Sequence, residues 1–164
     1  MTEKIGLFTG SFDPFTNGHL DIVKRGAQLF DKLYIGAFQN DQKTAFFTRD
    51  ERINQIESVI REEKLDNVQV IVHERDLTVN VAKKLGVTAL LRSIRNSQDL
   101  EHEQSLSYFN QELADLETII LPARPDLAYI SSTRIREVYS YDADYSQWVP
   151  TSVAQAMKEK RKNG

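Results

Sequence analysis

Apolar positions along the chain alternate between two spacings, and the alternation marks out its elements. Residues 4–9 (KIGLFT), 32–38 (KLYIGAF), 67–72 (NVQVIV), 87–91 (VTALL) and 117–121 (ETIIL) are short apolar runs that predict five strands. Between them the period becomes helical: Leu20, Val23, Ala27 and Phe30 share one face, and Ile53, Ile56, Val59 and Ile60 share another. Thr48 and Glu51 form a capping box that opens the second of these helices. Residues 78–85 predict a short helix ended by Gly86, and residues 97–113 a long, polar-faced one. Two further helices, over residues 132–139 and 151–162, close the chain. Strands alternating with helices predict an α/β fold, Rossmann-like and doubly wound, with a five-stranded parallel sheet covered on both faces. The 164 residues contain no repeat and no Pro/Gly-rich linker, so residues 1–164 read as one domain.

Composition removes several function classes. Lys plus Arg (21) against Asp plus Glu (24) leaves a net charge of -3, which argues against nucleic acid as a partner. The absence of cysteine excludes disulfides, thiolate metal sites and a thiol nucleophile. No apolar run approaches the roughly 18 residues needed to cross a bilayer. The amino terminus has no signal-type apolar core. A cytoplasmic protein without membrane contact is the expectation.

In an open parallel sheet, ligands bind beyond the carboxyl ends of the strands, so chemistry is sought there. After the first strand comes Gly10-Ser-Phe-Asp-Pro-Phe-Thr-Asn-Gly-His19. Gly10 permits a tight turn, and His19 falls in the first turn of a helix, where free amides and the dipole favour an anion. Ser11 adds a hydroxyl. After the second strand stands a single cation, Lys43, a residue type that is usually solvated in such loops.

After the fourth strand, Arg92 and Arg95 suit phosphate through charge-assisted, bidentate bonds. Arg95 and Asp99 are also four apart and can pair with each other. Glu101, His102 and Glu103 diverge around a helix and build no metal site; His73 and His102 read as surface residues. After the fifth strand, Ser131, Ser132 and Thr133 place three hydroxyls at a helix start, more than a cap needs. Together these ends describe a crevice for a phosphate-rich nucleotide. Neither G-x-G-x-x-G nor a P-loop is present.

The stretches from Gly10 to His19 and from Ile130 to Arg134 resemble the paired signatures of the nucleotidyltransferase superfamily that carries a T-x-G-H motif. Lys43 with Phe46-Phe47-Thr48, the Arg92-x-x-Arg95-x-x-x-Asp99-x-Glu-x-Glu103 pattern and Asn110 make the chain similar to the phosphopantetheine adenylyltransferase family of bacteria. The resemblance implies transfer of the adenylyl group of ATP to 4'-phosphopantetheine, with Mg²⁺ carried mainly by ATP. It further implies a homohexamer and coenzyme A as a feedback ligand.

Carried over by motif, His19 stabilises the transition state, with Lys43 and Arg92 as the other catalytic cations. Ser11 contacts both substrates, and Lys43, Leu77, Thr78, Arg92 and Asn110 hold phosphopantetheine. Phe12, Ser93, Ile94, Arg95 and Glu103 surround ATP from one side; Leu127, Ala128 and Tyr129 with Ile130, Ser131, Ser132 and Thr133 do so from the other. Many family members have threonine at Ser11, glycine at Ser93 and phenylalanine at Leu100. The basic stretch 158–162 reads as a complement to a helix carboxyl end.

Overall fold

The five apolar runs become five parallel strands in the computed structural model, which describes residues 2–39, 44–73 and 75–164. They are β1 (Ile5–Gly10), β2 (Lys32–Phe38), β3 (Val68–His73), β4 (Ala89–Ile94) and β5 (Glu117–Pro122). The helices are α1 (Asn17–Leu29), α2 (Arg49–Glu62), α3 (Thr78–Leu85), α4 (Ser97–Ala114), α5 (Ser132–Ser140) and α6 (Thr151–Asn163), with a 3₁₀ turn at Ser146–Trp148. The strand order β3-β2-β1-β4-β5 confirms the doubly wound, Rossmann-like expectation.

Alternation along each strand divides the core into two clusters. Phe8, Leu33, Ile35, Ala89 and Leu91 face one side, packed with Val23, Ile56, Ile135, Val153 and Met157 from α1, α2, α5 and α6. Leu7, Tyr34 and Leu90 face the other and meet Val79 and Ala82 of α3. The expected capping box forms at Thr48–Glu51, and a second, not anticipated, forms at Thr16–His19. Gly86 stops α3 with φ 70, a left-handed conformation that other side chains resist.

The strand order reverses between β1 and β4, and here the sheet opens. Their pairing ends at Phe8 with Leu91, whereas β1 with β2 continues to Gly10 and Ala37. Beyond Leu91 a side chain replaces the ladder: Arg92 Nη1 donates to the Thr9 carbonyl at 2.7 Å and the Thr9 hydroxyl at 3.0 Å. Gly10 adopts no left-handed conformation. A Cβ there would lie 2.9 Å from the Phe12 ring, so glycine clears space for that ring instead of shaping a turn. His73, expected at the surface, is the last residue of β3 and is buried against Phe38.

Candidate active site

One motif both starts α1 and builds the site's histidine. Thr16 is the N-cap, and its hydroxyl accepts from the His19 backbone N–H at 3.2 Å. His19 returns the bond, Nδ1 accepting from the Thr16 backbone N–H at 3.0 Å. A nitrogen that accepts carries no proton, so the neutral ring holds its hydrogen on Nε2. The ring stacks on Phe15 at 5.5 Å and meets the edge of Phe12 at 5.0 Å. Burial, then the charges of Arg95 and Arg92, push its pKa down to about 4. Near neutral pH the site therefore presents an uncharged imidazole donor.

His19 lies on a cleft of about 300 Å³ between the start of α1 and the start of α5. Ser93, Arg95, Asp99 and Glu103 line it from β4 and α4, and Leu127, Ile130, Ser131, Ser132 and Thr133 from the approach to α5. The three hydroxyls turn out to have work within the fold. Ser131 caps α5 by accepting from the Arg134 N–H, Ser132 donates to the Pro14 carbonyl at 2.7 Å, and Thr133 accepts from Arg136 Nη2 at 3.3 Å. Their number reflects how α5 is fastened to the β1–α1 turn as well as any ligand.

Both arginines are also held internally. Arg95 Nε donates to Asp99 at 3.0 Å, the pairing that their spacing allowed. Partial burial raises the Asp99 pKa, but hydrogen bonds and charge from Arg95 outweigh it and leave the carboxyl below its ordinary value. Arg92 makes a bidentate pair with Glu103, Nε and Nη2 each donating at 2.8 Å. Glu103 is the one buried residue of α4.

Glu103 also lines a second cleft, of about 390 Å³, and there Arg92 lines it too. Leu77 and Thr78 bring the amino terminus of α3 to it, and Asn110, Leu106 and Phe109 bring α4. Leu77, the N-cap, provides no side-chain cap, and its own N–H donates to the Asp76 carboxylate at 2.8 Å. The two clefts thus meet at Glu103, whose partner Arg92 lines the larger one, at the opening between β1 and β4.

Other expected residues are placed differently. Lys43 lies outside the described residues. Phe12 is only 2% exposed and has φ 50; its ring is core, so it offers a ligand main chain alone. Ser11 is exposed but lines neither cleft. Ile94 and Ala128 are half-buried and do not line the smaller cleft either. Tyr129 is 64% exposed and its hydroxyl accepts from Trp148 Nε1 at 3.1 Å, on an adjoining apolar depression.

Three residues that support the site are illegible as such in the sequence. Asp13, read there as half of a turn dipeptide, is buried and accepts from the backbone N–H of Phe46 (2.7 Å) and Phe47 (2.8 Å). Arg136 Nη1 donates to the Asp13 carbonyl at 2.6 Å. Arg52, on the inner face of α2, donates from Nη1 to the Ser11 and Phe38 carbonyls. The basic end of α6 is partly structural: Arg161 lies 4.5 Å over the Tyr139 ring and Lys160 5.0 Å over Phe46.

Known proteins resemble this chain in sequence and in fold. The cytidylyltransferase-like family model matches residues 7–138. The phosphopantetheine adenylyltransferase of Lactococcus lactis subsp. lactis (strain IL1403) is 54% identical over 160 residues, covering 97% of each chain. That of Streptococcus gordonii is 47% identical over 163 residues, covering 98% of this chain and 97% of its own. Among solved structures, a Vibrio parahaemolyticus protein provisionally assigned as a nicotinate-nucleotide adenylyltransferase shares the fold. It has a TM-score of 0.73 at 17% identity, covering 96% of this chain and 93% of that one.

Proposed function

The chain belongs to the phosphopantetheine adenylyltransferase family, and from that premise we propose how its two clefts divide the reaction. The reaction moves the adenylyl group of ATP onto 4'-phosphopantetheine and yields dephospho-coenzyme A and pyrophosphate. ATP takes the cleft at His19 and α5; phosphopantetheine takes the larger one between α3 and α4. The observation that supports this division most strongly is Glu103, which lines both clefts and pairs with Arg92 on the side of the larger one, at the open end of β1 and β4.

The acceptor phosphate attacks the α-phosphorus in line; a new P–O bond forms as the bond to the pyrophosphate oxygen breaks. A phosphate with its second ionisation near about 6 is already an anion, so no base is required. Rate comes from positioning and from charge stabilisation. His19 supplies a fixed, uncharged Nε2–H to the α-phosphate, and its capping box makes that donor part of the helix start. Arg92 and Lys43 anchor and neutralise the acceptor phosphate, while Leu77, Thr78 and Asn110 hold its arm. Ser11 and the main chain of Phe12 complete the turn between the substrates.

Mg²⁺ carried in with ATP would neutralise charge on its phosphates. No group of three possible ligands occurs among the described residues, and Asp99 and Glu103 are each committed to an arginine. The donor set therefore suits an ion held mainly by nucleotide oxygens and water. Coenzyme A carries both an adenosine and a pantetheine half, so it fits as a feedback ligand spanning both clefts. A homohexamer in the cytoplasm completes the proposal. Tyr108, exposed on α4 outside the larger cleft, is apolar surface available for self-association, and among the described residues no helix is long and apolar enough to cross a membrane.

Pyrophosphate release from ATP tests the acceptor directly. Release is expected with 4'-phosphopantetheine and not with nicotinamide mononucleotide; the reverse pattern would overturn the assignment.

A further inference from the structure

Arg52 is the largest side chain buried to less than 2% exposure, and it is an arginine. Replacing a buried cation with an apolar residue of similar volume often leaves stability unchanged or improves it, so core packing alone does not call for one here. Its contacts also fall short of a satisfied structural network. Nη1 donates to two carbonyls, Ser11 at 2.5 Å and Phe38 at 2.8 Å, while Nε and Nη2 have no hydrogen-bond partner among the described residues. Burial lowers its pKa, and the Asp13 charge opposes that shift.

The two carbonyls belong to different sides of the site. Ser11 follows β1 and begins the turn that reaches His19 through Phe12 and Thr16. Phe38 ends β2 and lines the larger cleft. Asp13, next to the cation, ties the same turn to Phe46 and Phe47. The turn itself contains Phe12 at φ 50, a conformation that a bulky residue keeps only when its surroundings impose it.

We propose that Arg52 is a positioning residue for adenylyl transfer: by holding the Ser11 and Phe38 carbonyls on one nitrogen, Nη1, it sets the His19 turn at a fixed distance from the acceptor cleft. The inference rests on the two-cleft reading and extends it, since Arg52 touches neither cleft. Its effect is on the alignment of the substrates, not on their binding. A small misalignment of reacting groups can cost on the order of 10²-fold in rate.

The test uses Arg52→Met, Arg52→Lys and His19→Ala, singly and combined, read by pyrophosphate release and by circular dichroism melting. Arg52→Met is expected to fold and to lose at least about tenfold in kcat, with both KM values within about threefold of the parent. Arg52→Lys keeps the charge but spans the two carbonyls less well, and its kcat should fall between parent and Arg52→Met. If Arg52 acts through the His19 turn, adding Arg52→Met to His19→Ala costs much less than it does in the parent. A folded Arg52→Met or Arg52→Lys protein with parental kcat overturns the proposal whatever His19→Ala does. A slow Arg52→Met beside a normal His19→Ala overturns the route through His19 and points to a failure of the site reading itself.

Discussion

The β1–α1 turn and the outer face of α4 border the same chemistry but are built in opposite ways. The turn is fastened at nearly every residue: Arg52 holds the Ser11 carbonyl, Arg136 the Asp13 carbonyl and Ser132 the Pro14 carbonyl, and Thr16 and His19 cap each other. Along α4 only Glu103 is buried, while Leu106, Tyr108, Phe109 and Leu113 remain exposed. The contrast follows the demands of the two substrates. A transferring phosphoryl group needs donors fixed before it arrives. A pantetheine arm needs apolar surface and tolerates small displacements.

Changes in the fastened turn should therefore reduce kcat, and changes along α4 should raise the acceptor KM. The largest effect is expected for His19→Ala, a loss of about 10²–10³ in kcat, since it removes a donor aimed at developing charge. Steady-state pyrophosphate release separates this from binding. Thr16→Ala should follow, because it removes the hydroxyl that fixes the His19 main chain at the helix start while keeping the backbone N–H to the ring; we expect a stability loss of about 1 kcal/mol by urea denaturation, and a fall in kcat beyond what that loss explains. If Thr16→Ala changed only the KM for phosphopantetheine, the turn would not be the part that acts on rate.

Asn110→Ala tests the other region. It should raise the KM for phosphopantetheine several-fold, on the order of 1 kcal/mol of lost hydrogen bonding, with the KM for ATP unchanged. An equal effect on both substrates would erase the distinction between the clefts.

A separate effect concerns acid. His19 has a folded pKa of about 4 against an ordinary 6.5, so between these values the unfolded chain binds a proton that the folded chain refuses. Stability is thus present above about 6.5 and is lost as pH falls toward 4. The decline in urea midpoint from pH 7 to pH 5 should be shallower in His19→Gln than in the parent. An identical decline would mean that the ring is not held neutral by its surroundings.

How much of this was readable from the residues depends on what each one does. β2 and α3 occupy the predicted residues because their limits are written locally, in the apolar run 32–38 and in Gly86. β4 extends to Ile94, three residues past its expected end, because Arg92 and Ser93 interrupt the apolar pattern while β5 still pairs with them. His19, Arg92 and Ser131 are marked by their places at strand and helix ends, whereas Asn110, inside α4, enters only through the family resemblance. The supports were not. An arginine on a helix is solvated by default, and nothing local marks Arg52 as buried. His73 misled for the same reason, being a polar residue at the buried end of β3. Charge pairing across the site, Arg92 with Glu103 eleven positions on, needed the fold to be seen.

The central claim is that a rigid, uncharged His19 donor drives transfer while the acceptor is held elsewhere. Its most direct test is kcat and both KM values for the parent and His19→Ala, from pyrophosphate release with ATP and 4'-phosphopantetheine. We predict a fall in kcat of at least about 10²-fold, with each KM within a few-fold of the parent. Near-normal kcat in a folded His19→Ala protein would contradict the account.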